Sequence, residues 1–337
     1  VGNTNGVGSN AQFNNPNGID ISSDGSFSLI TDYNNHQIRK LILSTQQVSL
    51  LAGGSTSGLT NGVGSNAQFY NPAAVCISSD GTLALITDNY NQQIRQIIIS
   101  TAQVTTLAGG STIGMTNGIG SNAQFKYPVG IDMSSDGSYA LIADVDNHQI
   151  RQLIITTAQV SLLAGGATLT SGSSNGIGTN ALFSKPQGII ISSDGSYCFI
   201  SEFNNNQIRK IIISTAQVSV FTGSPSFTTG SANGIGSNAM FSNPFGMTMS
   251  SDSSYALIVD SGNNEIRKLI TSTAEVSVLA GQITAGNANG VGSNVLFNGP
   301  SGIVLSPDNS YVLITDRYNN QIRKIQILTP PTSSPTF

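Results

Sequence analysis

Charge is what this sequence has least of. Asp, Glu, Lys and Arg make up 9% of its 337 residues, against about a quarter in ordinary soluble proteins. The formal net charge is −4, and the 13 Lys and Arg sit mostly in recurring slots. Neither a basic face for nucleic acid nor a patch for an anionic membrane can be built from them. No apolar run approaches the roughly 20 residues of a membrane span, so membrane insertion is not expected. No signal-peptide pattern opens the sequence, an absence that a processed start at Val1 would also produce.

Cysteine and histidine are nearly as scarce. Cys76 and Cys198 fall at different points of the pattern described below, which argues against a bridge between them. They read as small apolar side chains in packed strands. His36 and His148 are the only two histidines. Two histidines cannot supply a three-His metal centre, and no metal or other cofactor is expected. Asn is abundant, yet no Asn-x-Ser/Thr sequon occurs, so N-glycans are not expected.

What the sequence does have is repetition. Ile-Arg recurs with its arginine at 39, 95, 151, 209, 267 and 323, giving spacings of 56, 56, 58, 58 and 56. Phe13, Phe69, Phe125, Phe183, Phe241 and Phe297 keep the same register. So do Pro16, Pro72, Pro128, Pro186, Pro244 and Pro300. A period of this length marks a stacked or ring-like architecture.

Each unit opens on a turn segment such as "NGVGSNAQFNNP", where Asn-Gly supplies positive φ. Four short β-rich runs follow: Gly18 to Ser22, Phe27 to Asp32, Gln37 to Ser44 and Val48 to Gly53. Such a succession predicts a four-stranded antiparallel meander. Runs such as Leu41-Ile42-Leu43 are apolar on both faces, so each sheet needs cover on both sides. Radial stacking around an axis provides it. Residues 1–328 are therefore read as an all-β, six-bladed β-propeller.

The combined pattern, from "NGxGxNAxF" through "QIRK" to "LAG", resembles the NHL repeat over nearly all of residues 1–328. The resemblance implies a six-bladed propeller, a fold used mostly as a docking platform for proteins or RNA and occasionally as an enzyme. NHL repeats often carry Asp in the opening turn. Here Asn61, Asn117, Asn175, Asn233 and Asn289 stand instead, removing negative charge from one face.

The sixth unit departs from the rest. Five units have a fourth strand, at Val48, Val104, Val160, Val218 and Val276. After Leu328 the chain turns to "TPPTSSPTF". Blade six is thus expected to have three strands, or to be completed by a strand from upstream of Val1 or from a neighbouring molecule. The tail 329–337 reads as the start of a Pro/Ser/Thr-rich stalk, with Thr329, Thr332, Ser333, Ser334 and Thr336 as candidate O-glycosylation sites.

No unique catalytic constellation stands out from the repeat. Asp32, Asp88, Asp144, Glu202, Asp260 and Asp316 lie seven residues before the repeat arginine, and an Asp–Arg ion pair is the expected role. Asp144-Val-Asp-Asn147 lacks the Gly and Glu that a calcium loop requires. Asp20 and Asp132 replace apolar residues on the first strand and are placed towards a central channel. Arg317, Lys126 and Lys185 are isolated extra charges.

The most variable side chains gather in the Asn-rich turn. Candidate binding-face residues are Tyr33, Asn34, His36, Tyr90, Asn91, Asp146, His148, Phe203, Asn204, Tyr318 and Asn319. Aromatics among amides suit a flat surface for protein or carbohydrate. Packing of these aromatics between blades is the competing reading. The function expected is a non-enzymatic extracellular structural or interaction module that docks a protein partner or packs with copies of itself, in a surface fibril or matrix. A carbohydrate-binding propeller is the alternative. A lyase or hydrolase of the six-bladed propeller group comes third.

Overall fold

A computed structural model describes residues 1–327. The tail 329–337, with Thr329, Thr332, Ser333, Ser334 and Thr336, lies outside the described residues.

The first blade shows how each repeat folds. Its innermost strand is Pro16–Ile21, followed outward by Phe27–Asp32, Gln37–Ile42 and Gln47–Ala52, all antiparallel. Pro16 opens the inner strand, where a missing N–H is tolerated. Asp24 turns the chain back, accepting from the Ser26 N–H and from the Ser22 and Ser26 hydroxyls. The Asn-rich turn closes on His36 in the left-handed region, at φ 59°.

One feature goes beyond the expected meander. The opening segment contributes its own two-residue strand, Gly6–Val7, which pairs with Gln47–Ala52 on the outer edge. Five blades are therefore five-stranded. The turn chemistry of Asn-Gly concealed this strand, because its partner lies about 42 residues further along.

The sixth sheet has three strands among the described residues: Pro300–Leu305, Tyr311–Asp316 and Gln321–Gln326. Gly290–Val291, the counterpart of Gly6–Val7, forms no strand there. The inner strands contact one another in sequence, and Pro300–Leu305 returns to Pro16–Ile21 to close the ring.

Apolar cover comes from the neighbouring blade. Leu29 and Ile38 of blade one pack with Phe69, Val75, Ile86 and Ile97 of blade two, and comparable clusters fill the other interfaces. Each buried aliphatic side chain contributes about 1.5–3 kcal/mol. Glycine is required where inner strands converge. A Cβ on Gly18 would lie 2.6 Å from the Ala74 backbone.

Two of the three sequence markers, the Arg and the Phe, belong to one motif. Arg39 donates through Nη1 to Asp32 at 2.9 Å and to the Gln12 carbonyl. Its Nη2 donates to the Thr4 carbonyl and to Asn5 Oδ1. The guanidinium carbon lies 5.4 Å from the centroid of the Phe13 ring. The same ion pair and ring contact recur at Arg95, Arg151, Arg209, Arg267 and Arg323. Each arginine thus fastens the opening segment to its own blade. The Asn of the opening turn takes a guanidinium N–H in all six copies. Burial pushes Asp88, Asp144 and Asp260 up to about 6, against the pull of the facing arginines.

Candidate recognition face and axial channel

The Asn-rich turns and the residues just before each repeat proline lie together on one face of the disc. Their backbone is held by a ring of inter-blade bonds. His36 Nδ1 accepts from the Asn71 N–H at 3.2 Å, and Gln92 Oε1 from Tyr127 at 2.6 Å. His148 Nδ1 takes the Lys185 N–H, Asn206 that of Asn243, and Asn264 that of Gly299. Asn320 takes the Asn15 N–H and completes the circle. Both histidines therefore act as neutral acceptors at Nδ1. Burial lowers the pKa of each.

The candidate residues divide into those that hold the turns and those that face outward. Asn91 and Asn319 donate to Asp88 and Asp316 and to the Gly58 and Gly286 carbonyls, so their amide N–H groups are used within the fold. His36 and His148 are occupied in the ring. Asn34, Tyr90, Asn204 and Tyr318 are exposed, and Tyr33 and Phe203 are half-buried. Asp146 pairs with Lys185 of the next blade.

Aromatic side chains form an arc over blades one to three. His36 meets Tyr70 edge-on at 5.6 Å, Tyr70 and Tyr90 lie 5.0 Å apart, and Tyr90 meets Tyr127 at 5.4 Å. Arg317 extends the arc, with its guanidinium 5.4 Å from the Tyr33 ring and 5.6 Å from Tyr318. Burial pushes the Tyr33 hydroxyl up to about 12. Tyr70 and Tyr127 were absent from the candidates drawn from the sequence. Their signal is the pair of positions before the repeat proline, Asn14-Asn15, Tyr70-Asn71, Lys126-Tyr127, Ser184-Lys185, Ser242-Asn243 and Asn298-Gly299, which differ while the Phe and Pro on either side repeat.

On blades four to six the same face carries a groove of about 290 Å³. Phe203, Asn243, Asn298, Arg317 and Tyr318 line it. It shares Phe245 and Ser301 with the lining of the axial channel.

Asp20 and Asp132 line that channel. Asp20 accepts from its neighbour Ile21 and, across the blade boundary, from the Ile77 N–H at 2.7 Å. Asp132 likewise accepts from Ile191 in blade four, and the Thr248 hydroxyl accepts from Leu305 in blade six. Blades one, three and five thus each clasp the blade that follows. Burial raises Asp20 and Asp132 to about 7, the effect at Asp132 being reinforced by the nearby Asp20. Among the described residues, no group of three or more His, Cys, Asp and Glu is placed to hold a metal ion.

No protein-family model matches the chain. NHL repeat-containing protein 2 of Homo sapiens is 24% identical over 331 residues, covering 89% of this chain and 45% of that protein. The chain is homologous to NHL-repeat proteins. It spans about half the length of this relative and of its Gallus gallus counterpart. Among solved structures, a protein of unknown function from Bacteroides thetaiotaomicron superimposes with a TM-score of 0.74 at 20% identity, over 96% of this chain and 72% of that one. An auxiliary nutrient binding protein from the same organism gives 0.70 at 16%, over 93% and 69%. These two likenesses are of fold.

Proposed function

We propose that this NHL-type propeller is a non-enzymatic extracellular recognition module that binds its partner on the Asn-turn face. The carrying observation is the aromatic arc from Tyr127 through Tyr90 and Tyr70, extended at Arg317 and Tyr318, on a backbone fixed by six inter-blade bonds. Rings held on a rigid frame lose little side-chain freedom on binding. Tyr and Arg anchor contacts well. Binding of protein and glycan panels by the whole chain tests this, with Tyr90→Ala as the reporter.

Blade six supports a second reading, self-association by strand addition. Among the described residues, Gln321–Gln326 has no partner on its outer side, and Val291 is 69% exposed. A free ladder edge is a template for another strand. Concentration-dependent sedimentation, with electron microscopy of the native material, decides whether copies join there in a fibril or matrix.

A further inference from the structure

The groove on blades four to six exists because the repeat is broken there. Blade five carries Ser261-Gly262 in its Asn-rich turn, where blade one has Tyr33-Asn34 and blade six has Arg317-Tyr318. Gly299 stands before the sixth repeat proline at φ 56°. A Cβ there would lie 2.4 Å from the Tyr318 ring, so glycine alone lets that ring lie across the position. An open floor thus meets an aromatic wall.

The polar groups around this opening have work left to do. Arg317 gives its Nε–H to Asn15 Oδ1. Among the described residues its guanidinium makes no ion pair, and no carboxylate lines the groove. The remaining N–H groups form a fork that matches a carboxylate. Asn243 spends its amide N–H on the Phe203 carbonyl. Its Oδ1, the Asn298 amide and the Ser261 hydroxyl make no hydrogen bond among the described residues. Amide and hydroxyl groups beside an aromatic ring recognise a ring that has hydroxyls at its rim and C–H groups on its face. A volume of about 290 Å³ is at the small end of ligand pockets, about 300–1,000 Å³.

We propose that this groove is a subsite for an acidic saccharide of the uronic acid class, its carboxylate held by Arg317 and its ring by Tyr318 and the Asn243–Asn298 amides. The proposal rests on the reading of this face as a binding surface. It adds the ligand class and the residue that selects it. A peptide carboxylate would satisfy Arg317 equally; what favours a saccharide is the C–H face that a pyranose ring offers to Tyr318 while its rim of hydroxyls meets the amides.

Calorimetric titration of the whole chain with trigalacturonate and with its methyl ester tests the assignment, since the two share the same rings and differ in charge. The acid is expected to bind at least tenfold more tightly than the ester. Arg317→Gln should remove that preference while a circular dichroism spectrum shows the fold retained, and Arg317→Lys should restore only part of it. Equal affinity for acid and ester, or an Arg317→Gln protein that still prefers the acid, overturns the proposal. So does an acidic peptide that binds as tightly as trigalacturonate. If neither sugar binds while another partner does so in a Tyr90-dependent way, the subsite assignment fails and the recognition face stands. If Tyr90→Ala leaves all binding unchanged, the face reading fails as well.

Discussion

Asn320, at the end of the last Asn-rich turn, accepts a hydrogen bond from the Asn15 backbone N–H at 2.7 Å, joining the sixth blade to the first. The same bond is made at five other boundaries by residues 35 or 37 positions apart, whereas this one spans 305 positions. Asn320 sits at φ 56°, so a test of the bond must keep the left-handed conformation available. Asn320→Gly does so while deleting the acceptor. It should cost about 0.5–1.5 kcal/mol, the net worth of one part-buried hydrogen bond, read as a lowered midpoint in urea unfolding.

The buried arginines give a larger effect. Arg151 and Asp144 are both fully buried and lie 2.9 Å apart. Arg151→Met leaves Asp144 without its cation and should cost about 3–5 kcal/mol. The double variant Arg151→Met/Asp144→Leu should recover part of that loss. Denaturant unfolding of the two variants beside the parent protein measures both.

The two histidines make the ring of bonds sensitive to acid. His36 and His148 accept at Nδ1, and burial lowers their pKa below the ordinary 6.5. Their neutral forms are thus favoured in the folded chain. The associated stability is full above pH 6.5 and falls as the pH drops from there through the lowered folded values. Replacing both with Asn, which serves the same bond at Asn206 and Asn264, should flatten this decline in a melting-temperature series.

Asp20 and Asp132 act in the opposite direction. Burial raises each from 3.8 to about 7. Their contribution is fully present below pH 3.8 and is lost as the pH rises through about 7. Asp20→Asn should reduce the fall in melting temperature between pH 4 and pH 8. An unchanged slope would show that Asp20 does not titrate in that window.

The blade count was readable because Phe and Arg are parts of one buried device, and Pro opens each inner strand, so all three recur at a nearly fixed interval. The Asp–Arg pair was readable too, being seven residues apart and opposed within one hairpin. The outer two-residue strand was not, since Gly6–Val7 carries the chemistry of a turn and gains its pairing only when the fourth strand arrives. The roles of His36 and His148 depend on a backbone N–H in the next blade, which no local pattern encodes. Tyr33, Tyr90 and Tyr318 were legible as large side chains of the Asn-rich turns. Tyr70 and Tyr127 meet Tyr90 because the two positions before each repeat proline come to lie against those turns. Arg317 stood out as an isolated charge, but its pocket needed Gly262 and Gly299, whose meaning is steric and appears only in three dimensions.

Binding by the Tyr70→Ala/Tyr90→Ala double variant tests the recognition face most directly. Wild-type and variant chains would be compared on the same immobilised protein and glycan panel, with matched melting temperatures. The account predicts that the wild type retains a partner with Tyr-dependent affinity and that the double variant loses at least tenfold. Undiminished binding by the variant would contradict it and move the contact surface elsewhere, with the exposed edge of blade six the next place to look.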